Sequence, residues 1–195
     1  MRDIAIIIPS RLNAARLPNK PLKLINKKEM ILHVYDAAKK SNVGEIIVAT
    51  PDREILDLIQ NYNGRAILTS DKHETGTDRV FEVFKRELKY TPEIIINFQG
   101  DMPNLHPQSI KDLAEHMKKK LCDIATLASN IENAHEEKDP NVVKVLVDCD
   151  IKYKSFAKAV DFFRISSKPL KKFTYHHVGI YAFTNKALIR YVNLK

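Results

Sequence analysis

Residues 4–22 read IAIIIPSRLNAARLPNKPL, an apolar run that leads directly into a basic segment. The β-branched run from Ile4 to Ile8 is typical of a strand that is covered on both faces. Pro9 lacks a backbone N–H and ends the ladder of hydrogen bonds. No acid occurs between Ile4 and Lys28, although the segment is rich in lysine and arginine. We therefore expect a central strand followed by a loop that binds an anion.

Short apolar runs and helical periods alternate along the next hundred residues. We expect buried strands at 45–50, 65–70, 93–98 and 124–128, and helices at 29–41, 52–62, 77–88 and 107–120. Asp52 is expected to cap the second helix, and Gly64 to end it. Strands that alternate with helices predict an α/β protein with a Rossmann-like, mostly parallel sheet and helices on both faces.

The pattern changes beyond residue 130. Residues 142–148 and 174–183 are expected to be strands without strong helices between them, and a last helix is expected from about Asn185. This pattern predicts a small, partly antiparallel extension of the sheet. We expect one domain over residues 1–195, with a core at 1–130 and the extension at 131–195.

The composition is that of an ordinary globular protein, with 44% hydrophobic and 29% charged residues. The formal net charge of +8 favours an anionic partner but does not choose among nucleotides, nucleic acid and a membrane surface. Lysine-rich stretches at 118–120 and 168–172 are typical of solvated faces. The other cations gather where strands end rather than along one helix, which disfavours a nucleic-acid module.

Two cysteines and the composition of the N-terminal segment bear on where in the cell the protein is expected. Cys122 and Cys149 have no metal-ligand spacing and lie beside apolar runs, as buried thiols in a reducing compartment do. The N-terminus has no secretory pattern, and no apolar run approaches ~20 residues. We expect a cytoplasmic protein without a membrane-spanning segment.

Three polar segments follow the predicted strands and should converge at the carboxyl edge of the sheet, where open α/β sheets bind ligands. They are the basic loop after the first strand, SDKHETGTDR at 70–79 and QGDMP at 99–103. The first loop has no glycine-rich fingerprint, so side chains must hold phosphates. Arg11, Arg16 and Lys20 can do this, unless the loop is simply exposed and basic.

Asp101 directly follows the fourth strand, opposite the basic loop. A carboxylate facing a polyphosphate is the ligand that Mg²⁺ prefers, whereas an isolated Gly-Asp pair is more often a simple turn. The segment from Gly76 to Arg79 opens a helix and could bind a polar ligand there. Thr77 or Asp78 could equally serve only as a cap, which would leave Arg79 unexplained.

Five segments in order point to one family: IIPSRLNAARLPNKPL, HETGTDR, NFQGDMP, NVVKV and HHVGIYAF. Together they resemble the 3-deoxy-manno-octulosonate (KDO) cytidylyltransferases over nearly the whole chain. The resemblance implies a fold of the nucleotide-diphospho-sugar transferase type, with residues 1–130 as the CTP-binding core. It implies transfer of CMP from CTP to KDO, giving CMP-KDO and pyrophosphate for lipopolysaccharide biosynthesis. It also implies Mg²⁺ as cofactor and a homodimer with contacts near 155–175.

The resemblance also implies roles for single residues. Arg11, Lys20 and Asp101 would carry the catalysis, with Asp101 as the Mg²⁺ ligand. Nucleotide-binding positions would be Ser10, Arg11, Arg16, Lys20, Arg79 and Gln99, and sugar-side positions would be Lys144, Lys158, His177 and Tyr181.

The chain departs from the family pattern at several positions. Met102 replaces an acid, Pro51 replaces another, and Lys158 stands where the family has arginine. Lysine keeps the charge at position 158 but not the fork that grips a carboxylate in two places.

The resemblance also implies a longer C-terminal end, with an acid-and-glutamine segment and an aspartate that would supply a second metal ligand. We therefore expect this chain to bind CTP and Mg²⁺ but to turn over KDO slowly. Two alternatives remain at this point, a nucleotidyltransferase for another sugar and an inactive remnant that binds CTP without turnover.

Overall fold

The computed structural model describes residues 3–13, 17–119, 122–151, 156–165 and 170–194. In chain order the strands are β1 (Ile4–Pro9), β2 (Leu24–Ile25), β3 (Lys28–Glu29), β4 (Glu45–Thr50), β5 (Ala66–Leu68), β6 (Ile94–Asn97), β7 (Ile124–Ser129), β8 (Lys144–Val147), β9 (Ala159–Phe163) and β10 (Thr174–Thr184). The helices are α1 (Met30–Ser41), α2 (Arg53–Asn61), α3 (Gly76–Arg86), α4 (Pro107–Lys118), α5 (Ala134–Lys138) and α6 (Asn185–Val192). A short 3₁₀ helix spans Lys20–Leu22.

The chain forms two compact units, of which unit 1 comprises the described residues of Met1–Ala125 and Ile180–Lys195. Its strands are ordered β5-β4-β1-β6-β10. β1 runs parallel to β4 and β6, and β4 runs parallel to β5, whereas β10 is antiparallel to β6. The predicted mostly parallel α/β sheet is confirmed. Because β1, β4 and β6 run in one direction, their carboxyl ends lie at one edge.

Helices cover both faces of the sheet in unit 1. On one face Ile7, Ile47 and Ile95 form a buried cluster with side chains from α3 and α6. Ile6 and Ile8 point to the opposite face and are fully buried. On that face α1 packs against α4 and contacts β4, while α4 contacts β6. Burial on both sides explains the continuous apolar runs of the central strands.

Two local predictions for α2 were wrong. The Asp52 side chain makes no capping hydrogen bond, although the residue occupies the N-cap position. Its carboxylate instead accepts a hydrogen bond from the backbone N–H of Leu12. After α2 the left-handed conformation falls on Asn63, with φ of 57°, rather than on Gly64. Gly64 is required for another reason, since a Cβ there would lie 2.7 Å from Ile59 Cγ2.

Unit 2 comprises the described residues of Thr126–Gly179. β8 is antiparallel to β10 and to β9, with a register shift between Leu146 and Val147. Val145, Val147 and Tyr175 form its small apolar core. The antiparallel character was predicted, but α5 and β9 were not. β9 has no buried residue and therefore no apolar pattern from which to predict it.

The two compact units do not divide at residue 130, where the boundary between core and extension was expected. The strand β10 belongs to unit 2 through Gly179 and to unit 1 from Ile180, and α6 belongs to unit 1. Phe183 and Leu188 account for this, because both pack into the core cluster beside α3. None of the helices in the described residues is long and apolar enough to cross a membrane.

Candidate active site

The basic loop leaves β1 between two fixed points. Ser10 N–H donates to the carbonyl of Ala49 at 2.9 Å, and Leu12 N–H donates to Asp52 Oδ2 at 2.8 Å. Arg11 lies between them with an exposed side chain. Its backbone is therefore held on both sides, while the guanidinium projects at the carboxyl edge of the sheet.

A first cavity of about 190 Å³ lies at this edge. Its lining brings together predicted residues from three parts of the sequence, namely Ser10, Arg11, Lys20, Gln99 and Asp101. Lys20 Nζ lies 2.8 Å from Asp101 Oδ2, and the two side chains are 35% and 55% exposed. The cavity thus presents a guanidinium, an ammonium and an accessible carboxylate.

A second cavity of about 170 Å³ shares Ser10, Arg11 and Gln99 with the first. Arg79 and His73 also line it. The Arg79 guanidinium is buried and donates to the Thr69 hydroxyl and, at 2.9 Å, to the carbonyl of Ser70. Burial and the nearby charge of Arg11 lower the pKa of Arg79. Two guanidinium groups beside one cavity favour an anionic ligand.

Ser10 has a distinctive hydroxyl. The residue is 7% exposed, and its Oγ is buried without a hydrogen-bond partner among the described residues. Such a buried hydroxyl is costly unless something pairs with it. Because Ser10 lines both cavities, a bound ligand can supply that partner.

Amide and hydroxyl groups connect the end of β6 to the start of α3. Gln99 Nε2 donates to Asn97 Oδ1 at 2.6 Å, and Asn97 Nδ2 donates to Thr77 Oγ1 at 3.1 Å. Gly76 allows this close approach, since a Cβ there would lie 3.1 Å from Gln99 Oε1. The connection holds Gln99 against both cavities.

The first turn of α3 carries its own cap. The Thr75 hydroxyl accepts a hydrogen bond from Asp78 N–H, and the Asp78 carboxylate accepts one from Thr75 N–H. This reciprocal capping box uses Thr75 rather than Thr77. Arg79 takes no part in this cap and lines the second cavity.

Glu82 on α3 organises the loop before it. Its Oε2 accepts a hydrogen bond from Ser70 N–H at 2.9 Å and pairs with the His73 ring. Burial alone would raise the pKa of Glu82, but the partners His73, Ser70 N–H and Arg86 together hold it below its ordinary value. The charged carboxylate fixes His73 beside the second cavity.

The donor set suits Mg²⁺ at the first cavity. The described residues contain no cluster of three or more His, Cys, Asp or Glu side chains that could hold a metal by itself. Asp101 is instead a single, accessible carboxylate beside Arg11 and Lys20. Mg²⁺ prefers one or two protein oxygens together with phosphate oxygens and water, so this arrangement fits.

Lys144 has a different environment from the one expected. It is fully buried, and its Nζ donates to the carbonyls of Asp139, Val142 and Arg164 at 2.7, 3.0 and 2.9 Å. An ammonium has three N–H donors, so all of them are used within unit 2. This geometry favours a structural role for Lys144 over a contact with a sugar.

His177 is buried in unit 2. The Thr126 hydroxyl oxygen lies 2.8 Å from His177 Nε2 and 3.0 Å from the carbonyl oxygen of Val178. A hydroxyl that donates to this carbonyl accepts from Nε2, which corresponds to the tautomer with its proton on Nε2. Burial, and then the neighbouring His176, lower the pKa of His177 and favour the neutral ring.

The remaining predicted residues lie apart from the two cavities. Lys158 in unit 2 is exposed, and its backbone N–H donates to Asp148 Oδ1 at 3.0 Å. Tyr181 in unit 1 pairs with Asn97 across β10 and β6 and packs against the cluster beside α3. Arg16 lies outside the described residues.

Three side chains at this site were not predicted from the sequence, namely Asp52, Asn97 and His73. The segments that carry them were recognised, but single side chains were not. Their partners Leu12, Thr77 and Glu82 are between 9 and 40 residues away. A pattern within one segment does not reveal such pairs.

Comparisons with known proteins show to which protein family the chain belongs. The profile of the cytidylyltransferase family matches residues 5–195. The 3-deoxy-manno-octulosonate cytidylyltransferase of Rhodospirillum centenum is 37% identical over 99% of this chain and 75% of the relative. A solved structure of CMP:2-keto-3-deoxy-manno-octonic acid synthetase complexed with CTP superimposes with a TM-score of 0.85, at 37% identity, over 98% of this chain and 78% of that one.

A more distant structure shares the fold alone. The 4-diphosphocytidyl-2C-methyl-D-erythritol synthase from Anaerococcus prevotii superimposes with a TM-score of 0.64 at 16% identity, over 97% of this chain and 76% of that one. The fold and the comparisons together define a nucleotidyltransferase enzyme. The chain belongs to the cytidylyltransferase family, among the 3-deoxy-manno-octulosonate cytidylyltransferases.

Proposed function

We propose that the protein transfers CMP from CTP to KDO and releases pyrophosphate. The observation that carries the proposal is the pairing of Lys20 with Asp101 beside Arg11, at the edge where β1 and β6 end. Phosphate-binding cations and a carboxylate suited to Mg²⁺ are the groups that nucleotidyl transfer needs. The substrates CTP and KDO are proposed from the names of the family members that the chain resembles.

The reaction joins the anomeric hydroxyl of KDO to the α-phosphorus of CTP as the bond to pyrophosphate breaks. The hydroxyl proton passes to solvent, and no side-chain nucleophile is required. Negative charge accumulates on the departing pyrophosphate. Arg11 and Lys20 stabilise that charge and hold the triphosphate in line for attack. Ser10, Arg79 and Gln99 place the nucleotide, and we propose Arg16 as a further phosphate contact.

Mg²⁺ is the proposed cofactor, and Asp101 would hold it. When bound, the ion supplies charge neutralisation for the phosphate oxygens. Asp101 also orients Lys20 through their ion pair, so the two residues act together. The proposal rests on the chemistry of this carboxylate and on its place beside the phosphate-binding cations.

The sugar-side roles of Lys158 and His177 stay a prediction, and so does that of Tyr181. His177 would present a neutral ring, since its pKa is lowered by burial. A contact of Lys144 with KDO would require breaking hydrogen bonds to backbone carbonyls, so we propose that Lys144 supports unit 2 instead.

We propose a homodimer in which β9 contributes to the interface. Val160, Phe162 and Ile165 are 60%, 47% and 69% exposed and lie on or next to this strand. Exposed apolar side chains grouped at a sheet edge are typical of a protein interface. Sedimentation velocity should give a dimer that Phe162→Glu converts to a monomer, and a wild-type monomer would contradict the proposal.

Two further expectations belong to the same proposal. Cys122 and Cys149 are both free thiols, which fits a reducing cytoplasm. CMP-KDO would serve lipopolysaccharide biosynthesis. The first expectation rests on the free thiols and the second on the family assignment.

Thermal-shift titration followed by a pyrophosphate assay tests the proposed activity. CTP with Mg²⁺ should raise the melting temperature more than ATP or GTP with Mg²⁺. Pyrophosphate release should then depend on KDO. Release with a different sugar would support the other nucleotidyltransferase alternative, and CTP binding without release would support the remnant.

A further inference from the structure

Asp52 occupies the N-cap position of α2 but does not cap it. Its φ and ψ of −99° and 125° are those of an N-cap residue, yet the side chain makes no hydrogen bond to the first turn. The carboxylate oxygen Oδ2 instead accepts from Leu12 N–H at 2.8 Å, across 40 residues of sequence. An aspartate at this position normally satisfies the helix. Here the carboxylate binds the backbone of the basic loop instead.

Leu12 is held through both of its backbone polar groups. Its N–H donates to Asp52, and its carbonyl accepts from Asn19 N–H at 3.0 Å. The second bond closes the loop immediately before Lys20. Leu12 is therefore the point from which both ends of the basic loop are positioned.

Arg11 depends on this arrangement. The residue before it is bonded to the main chain of β4, and the residue after it is bonded to Asp52, two residues beyond β4. The Asp52 backbone N–H in turn donates to Thr50 Oγ1 at 3.1 Å, which fixes the turn. Of the two bonds that flank Arg11, only the one to Asp52 uses a side chain.

We propose that Asp52 is a positioning residue for the triphosphate-binding loop: it sets the place of Arg11, and through Leu12 and Asn19 the place of Lys20. The inference rests on the proposed function, since it assigns these cations to CTP. Asp52 lines neither cavity and would act on the nucleotide only through the residues that it positions. Its effect should therefore be carried by the hydrogen bond to Leu12 rather than by its charge.

The charge of Asp52 would by itself oppose nucleotide binding. A carboxylate bonded to the basic loop repels a triphosphate that binds to this loop. The benefit of Asp52 must therefore be geometric. Substitutions at position 52 can therefore separate the hydrogen bond from the charge.

Three variants of Asp52 separate the effect of the hydrogen bond from the effect of the charge. Asp52→Asn keeps an oxygen acceptor for Leu12 N–H and removes the charge. Asp52→Glu keeps the charge and moves the acceptor by one methylene, and Asp52→Ala removes both. Thr184→Ala is the matched control, since it deletes the α6 cap that accepts from Ala187 N–H, away from both cavities.

The first readout is hydrogen exchange of the Leu12 amide by NMR, without any ligand. We expect protection in the wild type, Asp52→Asn and Thr184→Ala, and faster exchange in Asp52→Glu and Asp52→Ala. The second readout is the Kd for CTP with Mg²⁺. It should rise about tenfold in Asp52→Ala, the scale of one lost hydrogen bond to a charged acceptor, and clearly less in Asp52→Asn.

Two results would overturn the proposal. One is an Asp52→Asn protein that binds CTP as poorly as Asp52→Ala, which would make the charge decisive. The other is an Asp52→Glu protein with wild-type affinity and wild-type exchange. If Asp52→Ala does not fold, the Asn and Glu variants still decide between the bond and the charge.

Failure of the proposed function is separable from failure of this inference. A wild-type protein that binds CTP but gives no KDO-dependent pyrophosphate contradicts the activity and leaves the exchange and Kd comparisons valid. A wild-type protein that does not bind CTP contradicts both. An active wild type with unchanged Asp52 variants contradicts the positioning role alone.

Discussion

Lys20 Nζ and Asp101 Oδ2 lie 2.8 Å apart, although 81 residues separate them in the sequence. One belongs to the 3₁₀ helix that ends the basic loop, and the other follows β6. The pair is partly exposed, and exposed ion pairs contribute only ~0–1 kcal/mol to stability. Its value should therefore lie in the ligands that the two groups hold rather than in the fold.

Asp101→Asn should separate activity from stability. We expect pyrophosphate release to fall about a hundredfold or more, the scale of one lost electrostatic contact in a transition state, and half-maximal activity to need more Mg²⁺. The melting temperature without ligand should change little. Asp123→Asn is the control, since Asp123 pairs with Arg190 at an exposed site. A large loss of stability in Asp101→Asn would contradict this assignment.

Ser10→Ala should weaken ligand binding without weakening the fold. The Ser10 hydroxyl is buried without a partner among the described residues, so its removal should leave the free energy of unfolding equal or higher. The Kd for CTP should rise roughly threefold to tenfold, as for one neutral hydrogen bond.

Ser41→Ala gives the contrast, because its buried hydroxyl donates to the Ala38 carbonyl at 2.6 Å. It should lose about 1 kcal/mol of stability and bind CTP normally. Urea denaturation and calorimetric titration measure both quantities. Destabilisation by Ser10→Ala would mean that the hydroxyl is paired in the free protein.

Lys144→Met should destabilise the protein, since it leaves the carbonyls of Asp139, Val142 and Arg164 without their donor. We expect a loss of about 3 kcal/mol or more in urea denaturation. Lys158→Met is the matched control in the same unit, because Lys158 is exposed and its loss should cost under ~0.5 kcal/mol. Equal stability of the two variants would contradict the structural role of Lys144 and favour a contact between Lys144 and the sugar.

His177 should make stability fall at acidic pH. Its folded pKa is lowered from 6.5 by burial and by His176, so the unfolded chain binds the proton more readily. The stabilising contribution is present above pH 6.5 and is lost as the pH falls through the lower folded pKa. His177→Gln should flatten this dependence in urea denaturation, whereas His135→Gln, at an exposed position, should not. An unchanged slope in His177→Gln would mean that the ring is charged in the fold.

The sequence predicted the elements whose side chains are buried on a regular period. β1, β4 and β6 are continuous apolar runs because both faces of the sheet are covered. The loops that surround the cavities were predicted for the same reason, since the carboxyl ends of the strands locate them. β9 was missed because its residues are mostly exposed, so no period remained to detect.

Single side chains were harder to assign, because their roles depend on distant partners. Asp52 has the residue type and position of a helix cap, and only the placement of Leu12 shows its other role. Lys144 was assigned to a sugar from a segment motif, whereas its three carbonyl partners come from two turns of unit 2. Patterns within one segment indicate the helix or strand in which a residue lies. They do not indicate which group from a distant part of the chain will form a hydrogen bond with its side chain.

The most direct test of the central claim is the coupled assay of pyrophosphate release on this chain with CTP, Mg²⁺ and KDO. The proposed function predicts release that requires all three and that Asp101→Asn lowers about a hundredfold or more. Release that is independent of KDO, or that persists at the wild-type rate in Asp101→Asn, would contradict it.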